Sequence, residues 1–181
     1  DAESTDKTKS IINKYKEKNS NLHVKYEVDK GIYDGINKLI PLVDTEYYIV
    51  IGSDDLLYNN AIKNYNKKIV KSGCDLITFP VDTNKGKLVP KKNKLRYGQR
   101  AYISQHSVGV AIRTELHSKL GLDNQNFYIG ADALFILTVI NAGGKVCEGA
   151  NTVGFYSLEG VSSTNYLHNS LCCIFNFMWE C

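Results

Sequence analysis

Two adjacent carboxylates, Asp54 and Asp55, follow the apolar run Tyr47-Tyr48-Ile49-Val50-Ile51 and the pair Gly52-Ser53. Five β-branched and aromatic residues bounded by Gly and Ser read as a buried strand whose carboxyl end presents both acids at an exposed position. In an open α/β sheet, ligands bind just beyond the carboxyl ends of the strands, and two acids there can hold a divalent cation against a diphosphate. That is the chemistry of nucleotide-activated sugars. The alternative is that Asp54 or Asp55 caps the helix that follows. A third acid, Asp132, comes after Ile129-Gly130-Ala131 where a later helical pattern opens, and by sequence alone it reads as an N-cap.

The Ser53-Asp54-Asp55 signal has company. Upstream stand Asp1-Ala2-Glu3-Ser4-Thr5-Asp6-Lys7-Thr8 and Asp29-Lys30-Gly31-Ile32-Tyr33-Asp34-Gly35-Ile36-Asn37. Downstream are Gln105-His106-Ser107, Lys119-Leu120-Gly121, Gly130-Ala131-Asp132 and Gly160-Val161-Ser162. In this order, the segments resemble the inverting family-2 glycosyltransferases of the GT-A fold, whose wording is D-G-S-T-D-G-T, D-K-G-I-Y-D-A-M-N and S-D-D. The resemblance spans Asp1 to Ser163 and is nearest to bacterial members that build surface polysaccharides.

The resemblance implies a division of labour. Asp55 is the ligand of Mg²⁺ or Mn²⁺, Asp54 contacts the ribose, and Asp1 contacts the base or ribose. The Lys30-Gly31 turn lets backbone approach the nucleotide, although Lys30 also reads as an ordinary surface lysine. Asp132 deprotonates the acceptor hydroxyl, and Gln105, His106 and Ser107 line the acceptor pocket; a structural role is the alternative for His106. The donor is a nucleotide-diphosphate sugar, a UDP-sugar first, and the acceptor is a glycan or a lipid-linked saccharide. The implied enzyme is an inverting, metal-assisted, hexosyl-type glycosyltransferase. Competing readings are a sugar-nucleotide nucleotidyltransferase and a noncatalytic glycan- or nucleotide-binding module. Three departures stand out. Gly35 replaces the usual Ala, Ala133-Leu134 replace the usual Tyr-Asp, and the family carries a strand, a helix and a second strand before the segment that here opens at Asp1. The first strands are therefore expected upstream.

Elements must position these residues. Helical spacing predicts helices over Ser4 to Lys18, Ile32 to Ile40, Ala61 to Lys71, Thr114 to Leu120 and Asp132 to Ala142. Strands are predicted over Leu22 to Val28, Tyr47 to Ile51, Asp75 to Pro80, Val108 to Ile112, Lys145 to Glu148 and Val153 to Tyr156, with a hairpin around Lys85-Gly86. Alternating strands and helices predict right-handed crossovers with parallel pairing. The expected fold is α/β, a GT-A-type, Rossmann-like mixed and mostly parallel sheet flanked by helices. It forms one domain, with 1–80 as the nucleotide-sugar half and 81–181 as the acceptor-side half. Asp34 and Asn37 share a helix face and are expected to form a structural polar network.

Composition bounds the rest. The 181 residues fit one domain, and a hydrophobic content of 43% supports a substantial core. Net charge is +3, with a basic cluster of Lys85, Lys87, Lys91, Lys92, Lys94, Arg96 and Arg100 that reads as a solvated loop or as an attractor of phosphates, anionic glycans or lipid headgroups. No aromatic interleaving or motif argues for nucleic acid. Cys74, Cys147, Cys172, Cys173 and Cys181 lack metal-binding spacing and read as reduced thiols of a cytoplasmic protein. Asn165 to Trp179 is an apolar helix expected to pack on the core. Its alternatives are a subunit interface or peripheral contact with the inner face of the membrane.

Overall fold

The computed structural model describes residues 1–104 and 107–158. The chain divides into two compact units, Asp1–Leu42 and Val43–Cys181.

The first unit holds α1 (Thr8–Lys16) and α2 (Ile32–Leu39). Helix α1 is shorter than its periodicity predicts. The Asp1 carboxylate accepts from the backbone N–H and hydroxyl of Ser4, which holds the opening segment in a local turn, and Asp6 Oδ1 then accepts from Thr8 N–H at 2.9 Å. The strand expected over Leu22 to Val28 has no ladder. Its backbone bonds run to Asp1: Asp1 N donates to Lys25 O at 2.8 Å and Glu27 N to Asp1 O at 3.2 Å. One partner residue does not make a strand pair.

Helix α2 begins after Gly31, whose φ of +133° is open to glycine and strained for other residues. The Asp34 carboxylate accepts from Lys30 N–H at 2.9 Å and pairs with Lys38 at 2.8 Å, so its side chain braces the turn leading into the helix. Lys38 and the Lys30 N–H hold the Asp34 carboxyl below its ordinary range. A Cβ on Gly35 would stand 3.0 Å from Asp29 Oδ2, so the glycine, at a cost of about 1 kcal/mol in helix propensity, leaves the Asp29 side chain its position. Pro41 closes the segment within a 3₁₀ turn, Ile40–Leu42.

The second unit contains two four-stranded sheets. Its strands are β1 (Tyr47–Tyr48), β2 (Leu56–Leu57), β3 (Leu76–Thr78), β4 (Val81–Thr83), β5 (Gly86–Leu88), β6 (Val110–Arg113), β7 (Val146–Glu148) and β8 (Gly154–Phe155). Its helices are α3 (Ala61–Ser72), α4 (Lys94–Tyr97), α5 (Leu116–Leu120) and α6 (Ala131–Asn141). One sheet runs β1-β6-β3-β7 and the other β2-β8-β4-β5.

The mixed α/β architecture is the expected one, but the balance of pairing differs. Only β3–β7 and β4–β8 are parallel among the described pairs. Strand β6 lies between β1 and β3 and pairs antiparallel with both, Tyr48 opposite Ile112 and Ile77 opposite Ala111, so the β1-to-β3 crossover does not end in adjacent parallel strands. The hairpin at Lys85-Gly86 forms as predicted, with Thr83 opposite Gly86.

Period-two alternation sorts the core. Ile77 and Ala111 pack with Ala61 and Tyr65 of α3, whereas their neighbours Leu76 and Val110 pack with Phe135, Ile136 and Val139 of α6. Helices thus cover both faces of one sheet. Cys74 and Cys147 correct the reading of free thiols: they form a disulfide, with Cα atoms 6.0 Å apart. Parallel pairing of β3 with β7 sets Cys147 opposite Ile77, near Cys74, a proximity that 73 residues of sequence separation conceal. The apolar segment Asn165 to Trp179, Gly160-Val161-Ser162 and Cys172, Cys173 and Cys181 lie outside the described residues.

Candidate active site

The chain after β1 turns sharply. Asp55 N–H donates to Gly52 O at 3.2 Å, placing Ser53 and Asp54 at the corners of a turn, and Gly52 N–H donates to Asp55 Oδ2 at 3.0 Å. Ser157 N–H donates to Asp55 Oδ1 at 3.3 Å. Backbone donors therefore brace both oxygens of Asp55. Its side chain is not at the exposed strand end that the sequence implied: the residue is only 8% exposed, while Asp54 is exposed. A Cβ on Gly52 would meet Asp55 Oδ2 at 2.7 Å and Asp54 Oδ1 at 3.0 Å, so the two carboxylates converge on one side of Gly52. Neither acid caps α3, whose N-cap is Asn60.

Asp132 is the second residue of α6, and the N-cap is Gly130, in the left-handed region at φ +92°. The capping alternative is thereby removed. The carboxylate is exposed in the first turn, where the helix dipole favours a negative charge.

Sequence reasoning missed Asp123, Tyr48 and His117. Asp123 is 8% exposed, and burial, with the negative charge of Asp132 as a second cause, pushes its carboxyl up to about 6. Tyr48 feels the charges of both acids, although burial is the main cause that raises its hydroxyl. Tyr48 Oη lies 2.6 Å from His117 Nε2, and His117 Nδ1 lies 2.9 Å from Gly121 O. A carbonyl only accepts, so Nδ1 carries the proton and Nε2 accepts from the Tyr48 hydroxyl. Burial also lowers the His117 pKa, in keeping with a neutral ring. That ring stacks on Phe135, at 4.2 Å and 11°, three residues after Asp132. The network ties β1 to α5 and α6. Asp123 bore no motif; only its position two residues after Gly121 hinted at it.

The sign of the Asp123 shift yields a test. A carboxyl whose folded pKa rises from 3.8 to about 6 contributes stability that is present below the unfolded value and is lost as pH climbs through about 6. Asp123→Asn is therefore expected to raise the melting temperature relative to the unmodified chain at pH 8, by up to about 3 kcal/mol in stability before solvent screening, and to change little at pH 4. Melting curves at both pH values check it, and an equal difference at the two would refute the shift.

The other expected site residues fall as follows. Asp1, Lys30 and Gly31 belong to the first unit, where Lys30 is exposed and Asp1 engages Ser4. Ser107 opens a 3₁₀ turn, Ser107–Gly109, that leads into β6. Gln105 and His106 lie outside the described residues.

Among the described residues, no group of three or more His, Cys, Asp or Glu side chains is placed to hold a metal ion. A cation bridging a diphosphate needs only one or two protein carboxylates, with phosphate and water supplying the rest. Asp54 and Asp55, converging on Gly52, fit that requirement.

The model of glycosyl transferase family 2 matches residues 1–142, and the chain belongs to that family. Its fold is similar to that of Staphylococcus aureus TarS residues 1–349 in complex with UDP-GlcNAc, with a TM-score of 0.73 at 18% identity, covering 91% of this chain and 50% of that one. TarS 1–349 without a named ligand gives 0.71 at 15% identity, covering 99% and 55%. The chain thus spans about half the length of these structures. At such identities the likeness concerns the GT-A fold. No curated protein matches the chain.

Proposed function

We propose that this chain is the catalytic part of a metal-assisted glycosyltransferase that moves a sugar from a UDP-sugar to a glycan or lipid-linked acceptor with inversion. The observation that carries the reading is the turn at Gly52, where two carboxylates converge in a chain of family 2. The similar TarS structures include complexes with UDP-GlcNAc and with UDP, which supports a uridine donor.

Asp55, pre-oriented by backbone N–H groups, would hold Mg²⁺ or Mn²⁺ with Asp54 beside it, and Asp54 contacts the ribose. The bound cation supplies charge neutralisation for the departing diphosphate. Asp132 accepts the proton of the acceptor hydroxyl as that oxygen bonds to the anomeric carbon and the bond to the diphosphate breaks. For Asp1 and the Lys30-Gly31 turn, contact with the nucleotide is the assignment that family resemblance carries. Gln105, His106 and Ser107 are assigned to the acceptor on the same ground. Action in the cytoplasm, at the inner face of the membrane, accords with a nucleotide donor and a lipid-linked acceptor.

The test uses the full-length protein that carries this chain, incubated with a panel of nucleotide sugars with Mn²⁺ or with chelator. UDP release from a UDP-sugar, dependent on Mn²⁺, is the expected result. Binding without cleavage of any donor would make it a noncatalytic module, and pyrophosphate release from UTP and a sugar phosphate would make it a nucleotidyltransferase.

A further inference from the structure

Between Lys85 and Arg100 the chain carries seven cations and no acid. Residues 91–100 form an ordered knob. Lys91 N–H donates to Arg100 O at 2.8 Å and closes its base. Asn93 Oδ1 accepts from Arg96 N–H at 3.0 Å and caps the single turn of α4. The 3₁₀ turn Gly98–Ala101 then packs against α6, and Ile103 enters the core beside Phe135 and Ile136.

Leu95, in the middle of that turn, is 95% exposed. A lone exposed leucine is ordinary. This one is surrounded in sequence by Lys91, Lys92, Lys94 and Arg96, all exposed and none in an ion pair with an acid among the described residues. Lys94 and Arg96 instead lie over the rings of Tyr102, at 5.0 Å, and Tyr97, at 5.4 Å. An apolar tip with a cationic collar and nearby tyrosines matches the layering of an anionic bilayer surface: charge outside, headgroups where tyrosine sits well, and acyl chains beneath. A soluble polyanion would engage the cations and leave Leu95 in water.

We propose that the knob at 91–100 docks on a membrane surface bearing anionic lipids, with Leu95 inserted and Lys91, Lys92, Lys94 and Arg96 on the headgroups. No helix among the described residues is long and apolar enough to cross a membrane. Because the knob rests on α6, docking brings the helix that carries Asp132 towards the lipid. Only that last consequence rests on the glycosyltransferase reading.

Sedimentation of the full-length protein with vesicles tests the contact, using phosphatidylcholine alone or doped with phosphatidylglycerol. Binding is expected only to the doped vesicles and is expected to weaken with salt. Lys92→Gln with Lys94→Gln should lower partitioning about 25-fold, at roughly fivefold per cation. Leu95→Glu should lower it about tenfold or more. Since these side chains are exposed, melting temperature and UDP-sugar binding should stay unchanged, which separates a failure here from a failure of the donor chemistry. Absence of binding by the unmodified protein would overturn the proposal. So would a Leu95→Glu variant that binds normally while heparin competes for the same lysines, because that result marks a soluble polyanion site.

Discussion

Asp132→Asn is expected to lower kcat for sugar transfer by roughly 10²-fold or more, with donor affinity nearly unchanged. The N-cap of α6 is Gly130 and the Asp132 carboxylate is exposed in the first turn, so the amide removes the base and its charge while keeping the size and shape of the side chain. Loss of the favourable dipole interaction should cost about 0.3–1 kcal/mol, visible as a small drop in melting temperature. Asp132→Ala should behave alike in rate. A second signature is independent of turnover. With the Asp132 charge gone, one of the two causes that raise the Asp123 carboxyl disappears, and its titration should move down from about 6. Rate measurements paired with carboxyl titration by NMR check both. Near-normal kcat in Asp132→Asn would transfer the role of base, with Asp123 and His106 the next residues to replace.

The second large effect concerns the turn at Gly52. Asp55→Asn is expected to abolish Mn²⁺-dependent binding of UDP and also to destabilise the second unit. The new amide presents N–H groups where a carboxylate oxygen accepted from Gly52 or Ser157, and a buried polar mismatch of this kind costs about 1–3 kcal/mol. Asp54→Asn should weaken UDP binding more than Mn²⁺ binding and leave the melting temperature almost unchanged, because that side chain is exposed. Calorimetric titration of Mn²⁺ and of UDP into each variant, beside melting curves, separates the two acids. Unchanged Mn²⁺-dependent binding in Asp55→Asn would remove it as the ligand.

Much of this was legible in the sequence. The helix over Ile32 to Ile40 and the hairpin at Lys85-Gly86 could be read because each is written in a few neighbouring residues. The apolar periodicity of α3 and α6 gave helices, since a helix face is written within a dozen residues. The ordered motifs from Asp1 to Asp132 marked the family, and the matching family model covers that stretch.

Tertiary structure decided what depends on distant partners. The antiparallel insertion of β6 between β1 and β3 is a choice of neighbour, and strands of the same composition pair either way. Leu22 to Val28 has strand-like composition but no ladder, because a strand exists only with the backbone beside it. Asp55 has the same residue type as Asp54, yet one is buried and braced by backbone N–H groups and the other faces solvent, a difference made by the turn and by Ser157 about a hundred residues later. Asp123, Tyr48 and His117 carry no motif and meet only when β1, α5 and α6 pack, so the raised carboxyl beside Asp132 follows from burial and proximity. The sequence by itself determined the residue types, the local turns and the family; which carboxylate is desolvated, and which charge stands next to it, was settled by packing, because desolvation and Coulomb energies depend on distances that only the folded chain defines.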